Sequence, residues 1–253
     1  MVTVISLGGS IVAPLTYTEP SDEGSSLTGI DVEFLKKFVR MIRLFIETDL
    51  NRHFIFVVGG GAPARRYQNA YREITENFIK DEPAAQSGDG SRSDEADWIG
   101  IMATRLNARL VKAIFSEWCN QEVVTNPCEV EPLTGRVLVA AGWKPGFSTD
   151  YDAVLLAERF GADMVINLSN IEKVYTADPK IDPKAKPIDK ISWADFRAIV
   201  GDEWVPGKNV PFDPVASRHS EKIGLKVVCA GGKDLDNLGK ILRGEEFFGT
   251  EIG

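Results

Sequence analysis

The chain has 253 residues, 43% hydrophobic, and a formal net charge of -8. That length admits one large α/β domain or two small ones with a substantial core, and the acidity excludes a general nucleic-acid binder, which needs a basic face. Its three cysteines, Cys119, Cys128 and Cys229, are odd in number and form no CxxC, which excludes a disulfide framework and a zinc site. No apolar run reaches the length of a membrane span, and the chain begins on a strand without a basic leader. These features predict a soluble, unprocessed protein of a reduced cytoplasm.

The β-branched run 2–7 reads as a buried parallel strand that stops at Gly8-Gly9-Ser10. That triplet is either a tight turn or a cradle whose backbone N–H groups face an anion. Residues 13–29 lack periodicity and read as a loop. Asp31 caps a helix with Phe34, Leu35, Phe38, Val39, Ile42, Phe45 and Ile46 at three- and four-residue steps. A second strand over 53–58 ends at Gly59-Gly60-Gly61, before a helix from about 63 to 79. Three glycines between a buried strand and a helix start favour close approach of a phosphate. Arg65 and Arg66 fall in the predicted first turn, where a cation opposes the helix dipole and a bound anion would explain it.

The polar, Gly/Ser-rich stretch 81–94 predicts a loop, as a solvated insertion or a lid. A helix beginning at 94–97 follows, with Ile101, Thr104, Leu106, Leu110, Val111 and Ile114 available for packing. Asp97 in its first turn either complements the dipole or meets ligand hydroxyls. A weak strand is predicted over 122–125 and a clear one over 137–141. The stretch 142–183 organises the rest: a Gly-bearing loop, a helix start at Ser148-Thr149-Asp150, an apolar helix to about 160, a strand over 164–168, and a loop ending Tyr175-Thr176-Ala177-Asp178-Pro179. Hydroxyls and a carboxylate at a helix start, beside a strand-end loop, are how an α/β protein builds a site at one sheet edge. Ser192 caps a short helix, Asp213-Pro214 opens another to about 223, a strand covers 225–230, a last helix 234–242, and 249–252 is extended. Strands and helices alternate without a dividing linker, so one α/β domain is expected. His53 and His219, the only histidines, have no ligand-spaced neighbours and predict surface or packing roles.

Taken in order, Gly8-Gly9-Ser10, Gly59-Gly60-Gly61 with Arg65, Asp97-Trp98-Ile99-Gly100, Ser148-Thr149-Asp150, Val174-Tyr175-Thr176-Ala177-Asp178-Pro179, Asp182-Pro183 and Phe212-Asp213-Pro214 resemble the amino-acid kinase superfamily. Within it the set is most similar to the uridylate (UMP) kinases, and more to the archaeal type than the common bacterial one. No single triplet is specific, but the ordered set covers nearly the whole chain. The resemblance implies a three-layer αβα sandwich around a largely parallel sheet, with acceptor binding roughly in 1–160 and ATP binding roughly in 161–253. It implies Mg2+-dependent transfer of the γ-phosphoryl group from ATP to UMP, giving UDP for pyrimidine nucleotide synthesis, and a hexamer. It places Gly8, Gly9 and Ser10 around the transferring phosphates, with Asp150 organising the reacting groups. Gly59, Gly60, Gly61, Arg65, Asp97, Ser148 and Thr149 fall on the UMP side, and Asn170, Tyr175, Asp178 and Pro179 on the ATP side. No metal ligand among the protein's own residues is implied. These roles agree with phosphoryl transfer, which asks mainly for donors that hold two polyanions in line.

The chain departs from the family pattern at three places. Many relatives carry a lysine two residues before the first glycine, where this chain has Ser6; Lys144 and Lys208 are the candidate replacements. Glu172-Lys173 stands where Asp-Gly is usual, which predicts a different backbone turn. Trp143-Lys144-Pro145 occupies the acceptor loop, where a threonine followed by a small or polar residue is usual. Two alternatives follow: a superfamily kinase for another small acceptor, which Asp97 would disfavour if that acceptor were a carboxylate, and a non-catalytic nucleotide- or oxyanion-binding relative.

Overall fold

The computed structural model describes residues 1–14, 29–79, 89–179, 181–203 and 210–253. The predicted loop at 13–29 falls almost entirely outside these residues, as do Lys208 and the 81–88 part of the polar stretch.

In chain order the elements are β1 (Val2–Leu7), α1 (Gly9–Val12), α2 (Val32–Thr48), β2 (His53–Val58), α3 (Gly61–Ile79), α4 (Asp89–Ile114), β3 (Val137–Ala140), α5 (Thr149–Phe160) and β4 (Met164–Ser169). They continue with β5 (Val174–Tyr175), β6 (Pro187–Ile188), β7 (Lys190–Ile191), α6 (Trp193–Val200), α7 (Pro214–Ile223), β8 (Lys226–Gly231), α8 (Leu235–Arg243) and β9 (Thr250–Ile252). Seven strands form one sheet in the order β3-β2-β1-β4-β8-β9-β7, parallel except where β9 runs against β8. The pair β5–β6 is a separate antiparallel hairpin.

Side-chain alternation divides the core into two layers. Ile5, Leu7, Phe54, Phe56 and Ile166 face α2, α4 and α8, where Phe38, Val111 and Ile241 meet them, with Phe115 just past the end of α4. Val4, Ile55, Val57, Val165 and Val227 face the other way, onto Val154 and Leu156 of α5, Phe196 of α6 and Ala216 of α7. Helices therefore cover both faces of the sheet, giving the expected αβα sandwich. The predicted caps Asp31, Ser192 and Asp213 are present, and Ser148 and Asp234 cap their helices as well, each accepting a backbone N–H from the first turn.

Four local expectations are corrected. The helix expected to begin at 94–97 begins at Asp89, despite Gly90 and the serines. Further along the helix the Gln68 side chain of α3 donates to the Ala96 carbonyl at 2.9 Å. On that helix Leu106 is 72% and Leu110 37% exposed, so they face away from the core. Residues 122–125 form only a single bridge, Val124 to Ala140. Val124 is held there by two backbone hydrogen bonds, its N–H donating to the Val139 carbonyl and its carbonyl accepting from the Ala141 N–H, both at 2.9 Å, while Glu122 pairs with Arg109 and Lys112 beside it. Because α3 starts at Gly61, Arg65 and Arg66 lie in its second turn.

Candidate active site

Leu7 pairs with Val58 on one side and Leu168 on the other, so the segments following β1, β2 and β4 leave the sheet side by side. The Gly8 N–H donates to the Leu168 carbonyl at 2.8 Å and that of Gly59 to the Leu7 carbonyl at 2.9 Å. The two glycine turns then touch backbone to backbone. A Cβ on Gly9 would lie 1.9 Å from the Gly61 nitrogen, and one on Gly59 would lie 2.4 Å from the Gly9 nitrogen. Gly61 also has φ +66, a left-handed conformation. The first demand on these glycines is thus each other's presence. The Asn107 amide locks the second turn by donating to the Gly59 and Gly60 carbonyls at 2.8 and 3.2 Å.

Below this edge a polar row crosses the sheet, with Ser6, Asn167 and Cys229 in lateral register on β1, β4 and β8, all buried. Ser6 Oγ donates to Asp150 Oδ1 at 3.1 Å. The Asp213 backbone N–H also donates to Asp150, whose pKa is nevertheless pushed up to about 7. Burial is the larger cause and repulsion from Asp213 the second. Burial likewise raises the Asp213 carboxyl, against donation from the Ala216 N–H and the Ser148 hydroxyl. Asn167 Nδ2 donates to the Pro211 carbonyl at 3.0 Å. The Cys229 thiol is held above its ordinary range by burial and by the Asp150 charge, so it stays a protonated packing group.

Asp150 and Asp213 stand at the starts of α5 and α7, each capped by its own side chain signal, Ser148 for α5 and Asp213 for α7. Two helix N-termini therefore converge on the sheet edge where the glycine turns emerge, and their partial positive charge favours anions there. Among the described residues no cation forms an ion pair with Asp150. The position expected to carry a lysine instead carries a hydroxyl that reaches this carboxyl.

The loop 142–148 has almost no regular backbone pairing and is held by side chains. Thr104 Oγ1 accepts from the Gly142 N–H at 2.8 Å, Asp152 Oδ2 from the Trp143 N–H at 3.1 Å, and Asp97 Oδ2 from the Gly146 N–H at 3.2 Å. Arg105 donates to the Trp143 carbonyl at 3.2 Å while its guanidinium covers the Trp98 ring. Trp143, Phe147 and Tyr151 stack in sequence with centroids 5.1 Å apart at each step. Lys144 Nζ lies 4.0 Å from the Trp143 ring centroid, over its own loop. Asp152 is fully buried and its pKa is also pushed up to about 7, chiefly by burial.

The structure thus brings Gly8, Gly9, Ser10, Gly59, Gly60 and Gly61 together at one edge, and ties Asp150 to it through Ser6. Ser148 and Thr149 open α5 beside them, and Asp97 reaches the loop just before. Arg65 is exposed on α3 and has no ion pair among the described residues. Asn170 is exposed just beyond β4, and Tyr175 is half-buried on β5, without a ring contact among the described residues. The Val174 N–H next to it donates to Thr250 Oγ1 at 2.9 Å, which docks the β5–β6 hairpin on the sheet. Asp178 opens a turn, its carbonyl accepting from Ile181 and Asp182, with Pro179 exposed after it. Lys173 lies outside the left-handed region, like every other non-glycine among the described residues. Its ammonium pairs with Asp189 and covers the Phe248 ring. His219 pairs with Glu158, and His53 Nδ1 lies 3.1 Å from the Asn51 carbonyl, packing roles in both cases.

Sequence reasoning did not single out Asp152, Asn107, Thr104 or Arg105 for the site, and treated Asp213 only as a cap. Asp152 had a visible signal: it shares the core-facing stripe of α5 with Ala153, Leu156 and Ala157, where a carboxylate is out of place.

Comparison with known proteins agrees with this geometry. Residues 1–231 match the model of the amino acid kinase family. A uridylate kinase of Methanocorpusculum labreanum is 34% identical over 99% of this chain and 94% of its own length. One from Pyrococcus abyssi is 32% identical over 96% of this chain and 95% of its own. The crystal structure of uridylate kinase from Archaeoglobus fulgidus superposes with a TM-score of 0.74 at 33% identity, covering 100% of both chains. The UMP kinase of Bacillus anthracis, at 21% identity and a TM-score of 0.67, shares the fold. With the glycine turns, the two converging helix starts and a full-length match all in agreement, the chain belongs to the amino acid kinase family, among its uridylate kinases of archaeal type.

Proposed function

We propose that the protein is a UMP kinase, transferring the γ-phosphoryl group of Mg-ATP to UMP to give UDP in pyrimidine nucleotide synthesis. The observation that carries this reading is the convergence of two interlocked glycine turns with the N-termini of α5 and α7 on one sheet edge. That edge offers backbone N–H groups and helix dipoles to two polyanions, which is most of what phosphoryl transfer requires. In this reading Gly8, Gly9 and Ser10 border the transferring phosphates. Gly59 to Gly61, Arg65, Ser148 and Thr149 receive the UMP phosphate side, and Asp97 meets its ribose. Asn170, Tyr175, Asp178 and Pro179 border ATP on the hairpin side. Asp150 acts as an organiser: it holds the Ser6 hydroxyl and the Asp213 N–H, and a phosphate acceptor already ionised at neutral pH has no proton for it to remove.

Among the described residues no group of three or more His, Cys, Asp and Glu suits a metal ion. Magnesium would enter with the triphosphate and supply charge neutralisation on the transferring group. The protein works in the cytoplasm as a homo-oligomer, by resemblance a hexamer. Trp98, Met102, Leu106 and Leu110, at four-residue spacing on α4, are all at least 37% exposed and support a self-association surface. The test is UDP formation from UMP and Mg-ATP by the folded protein, with calorimetry of each nucleotide alone. Turnover with binding of both is expected; binding of one nucleotide without turnover would make the chain a nucleotide-binding relative.

A further inference from the structure

Asp152 is the least expected residue beside the site. Its side chain has no solvent exposure and sits in the α5 stripe between Ala153, Leu156 and Ala157, which are equally buried. A carboxyl there costs free energy that an apolar side chain of similar volume would not. Only one of its oxygens is satisfied by the protein: Oδ2 accepts the Trp143 N–H at 3.1 Å, while Oδ1 is buried with no hydrogen-bond partner among the described residues. Packing therefore does not account for this residue, and its one contact falls on the loop 142–148.

That contact has a distinct place among the loop's restraints. Thr104, Arg105 and Asp97 hold Gly142, the Trp143 carbonyl and Gly146 from the α4 side. Asp152 alone holds the Trp143 N–H from the α5 side, at the head of the ring series Trp143, Phe147 and Tyr151. The Trp143 peptide is thus gripped at its N–H by α5 and at its carbonyl by α4. Releasing the N–H leaves a polar group unsatisfied beneath the loop and frees the peptide to rotate.

We infer that Asp152 is a positioning residue for the acceptor: its buried carboxyl fixes the Trp143 peptide and thereby sets the loop that receives the nucleoside monophosphate. The inference rests on the UMP kinase reading of the same site. It assigns Asp152 an effect on the acceptor and none on ATP, whose expected residues lie beyond β4.

Steady-state kinetics with UMP and Mg-ATP on Asp152→Ala, Asp152→Val and Asp152→Asn test it, beside hydrogen exchange of the 142–148 backbone. The alanine and valine variants are expected to raise KM for UMP about tenfold or more, with KM for ATP within about twofold and faster exchange in the loop. Asn keeps an oxygen that accepts the Trp143 N–H, so Asp152→Asn should recover most of the UMP affinity and the loop's protection. Valine fills the apolar site, so that variant carries the measurement if alanine does not fold. A folded alanine or valine variant with unchanged KM for UMP, an equal rise in both KM values, or no recovery with asparagine would overturn the inference alone. A folded wild-type protein without UMP turnover would instead overturn the kinase reading, and the inference with it.

Discussion

Ser6 and Asp150 define the site at the scale of single residues. Where the family pattern leads one to expect an ammonium group, a hydroxyl donates to a carboxylate whose pKa is already lifted by burial and by Asp213. The consequence is a carboxyl held by two donors, Ser6 Oγ and the Asp213 N–H, with the ends of β1, α5 and α7 all pulled to it. Asp150→Asn replaces one of its two acceptor oxygens with a donor facing those donors. It should lower kcat for UDP formation by about a hundredfold or more, as loss of a preorganised polar group does, while circular dichroism and the melting curve remain those of a folded protein. An unchanged kcat would remove Asp150 from the mechanism. The sequence made Asp150 visible because it follows two hydroxyl residues, Ser148 and Thr149, at a helix start. It could not reveal that Ser6 is the partner, because the two are 144 residues apart and meet only through the sheet.

The glycine turns carry the account at the scale of elements. They sit at the ends of adjacent strands, and their backbones approach so closely that no Cβ fits between them. Gly9→Ala would place a methyl 1.9 Å from the Gly61 nitrogen. Backbone, not a flexible side chain, would have to move. We expect a loss of about 3 kcal/mol or more in denaturant-measured stability, the scale of the severe point mutations, together with lost turnover. A Gly9→Ala protein as stable as wild type would show that the turns are not interlocked. The longer core strands and the helix caps were legible because each depends on local signals, an apolar run or a side chain three residues before an N–H. The hairpin β5–β6, the short β7 and the early start of α4 were not. Two-residue strands lack a periodic signal, and α4 begins among glycine and serine, residues of poor helix propensity.

Across the whole molecule, two acidic groups near pH 7 should be felt in stability. The Asp152 pKa rises from an ordinary 3.8 to about 7 in the folded protein, chiefly through burial. Between those values the folded state keeps a proton that the unfolded state releases, so stability falls as pH rises, and the full cost is present above about pH 7. Asp152→Asn removes this titration. Denaturant unfolding at a series of pH values should show wild type losing on the order of 2–4 kcal/mol more than the variant between about pH 4 and about pH 8. Equal slopes would show that Asp152 is charged and solvated. At this scale the sequence was most informative, since the alternation of strands and helices and the ordered motifs anticipated the sandwich. The acceptor loop is where the chain departs most from the family pattern, so the measurement that tests the account most directly is product formation from Mg-ATP with UMP, CMP, dUMP, AMP and GMP in parallel. A strong preference for UMP is the predicted result. Turnover with none of them by the folded protein, or a preference for a purine acceptor, would contradict the reading of this edge as a UMP kinase site.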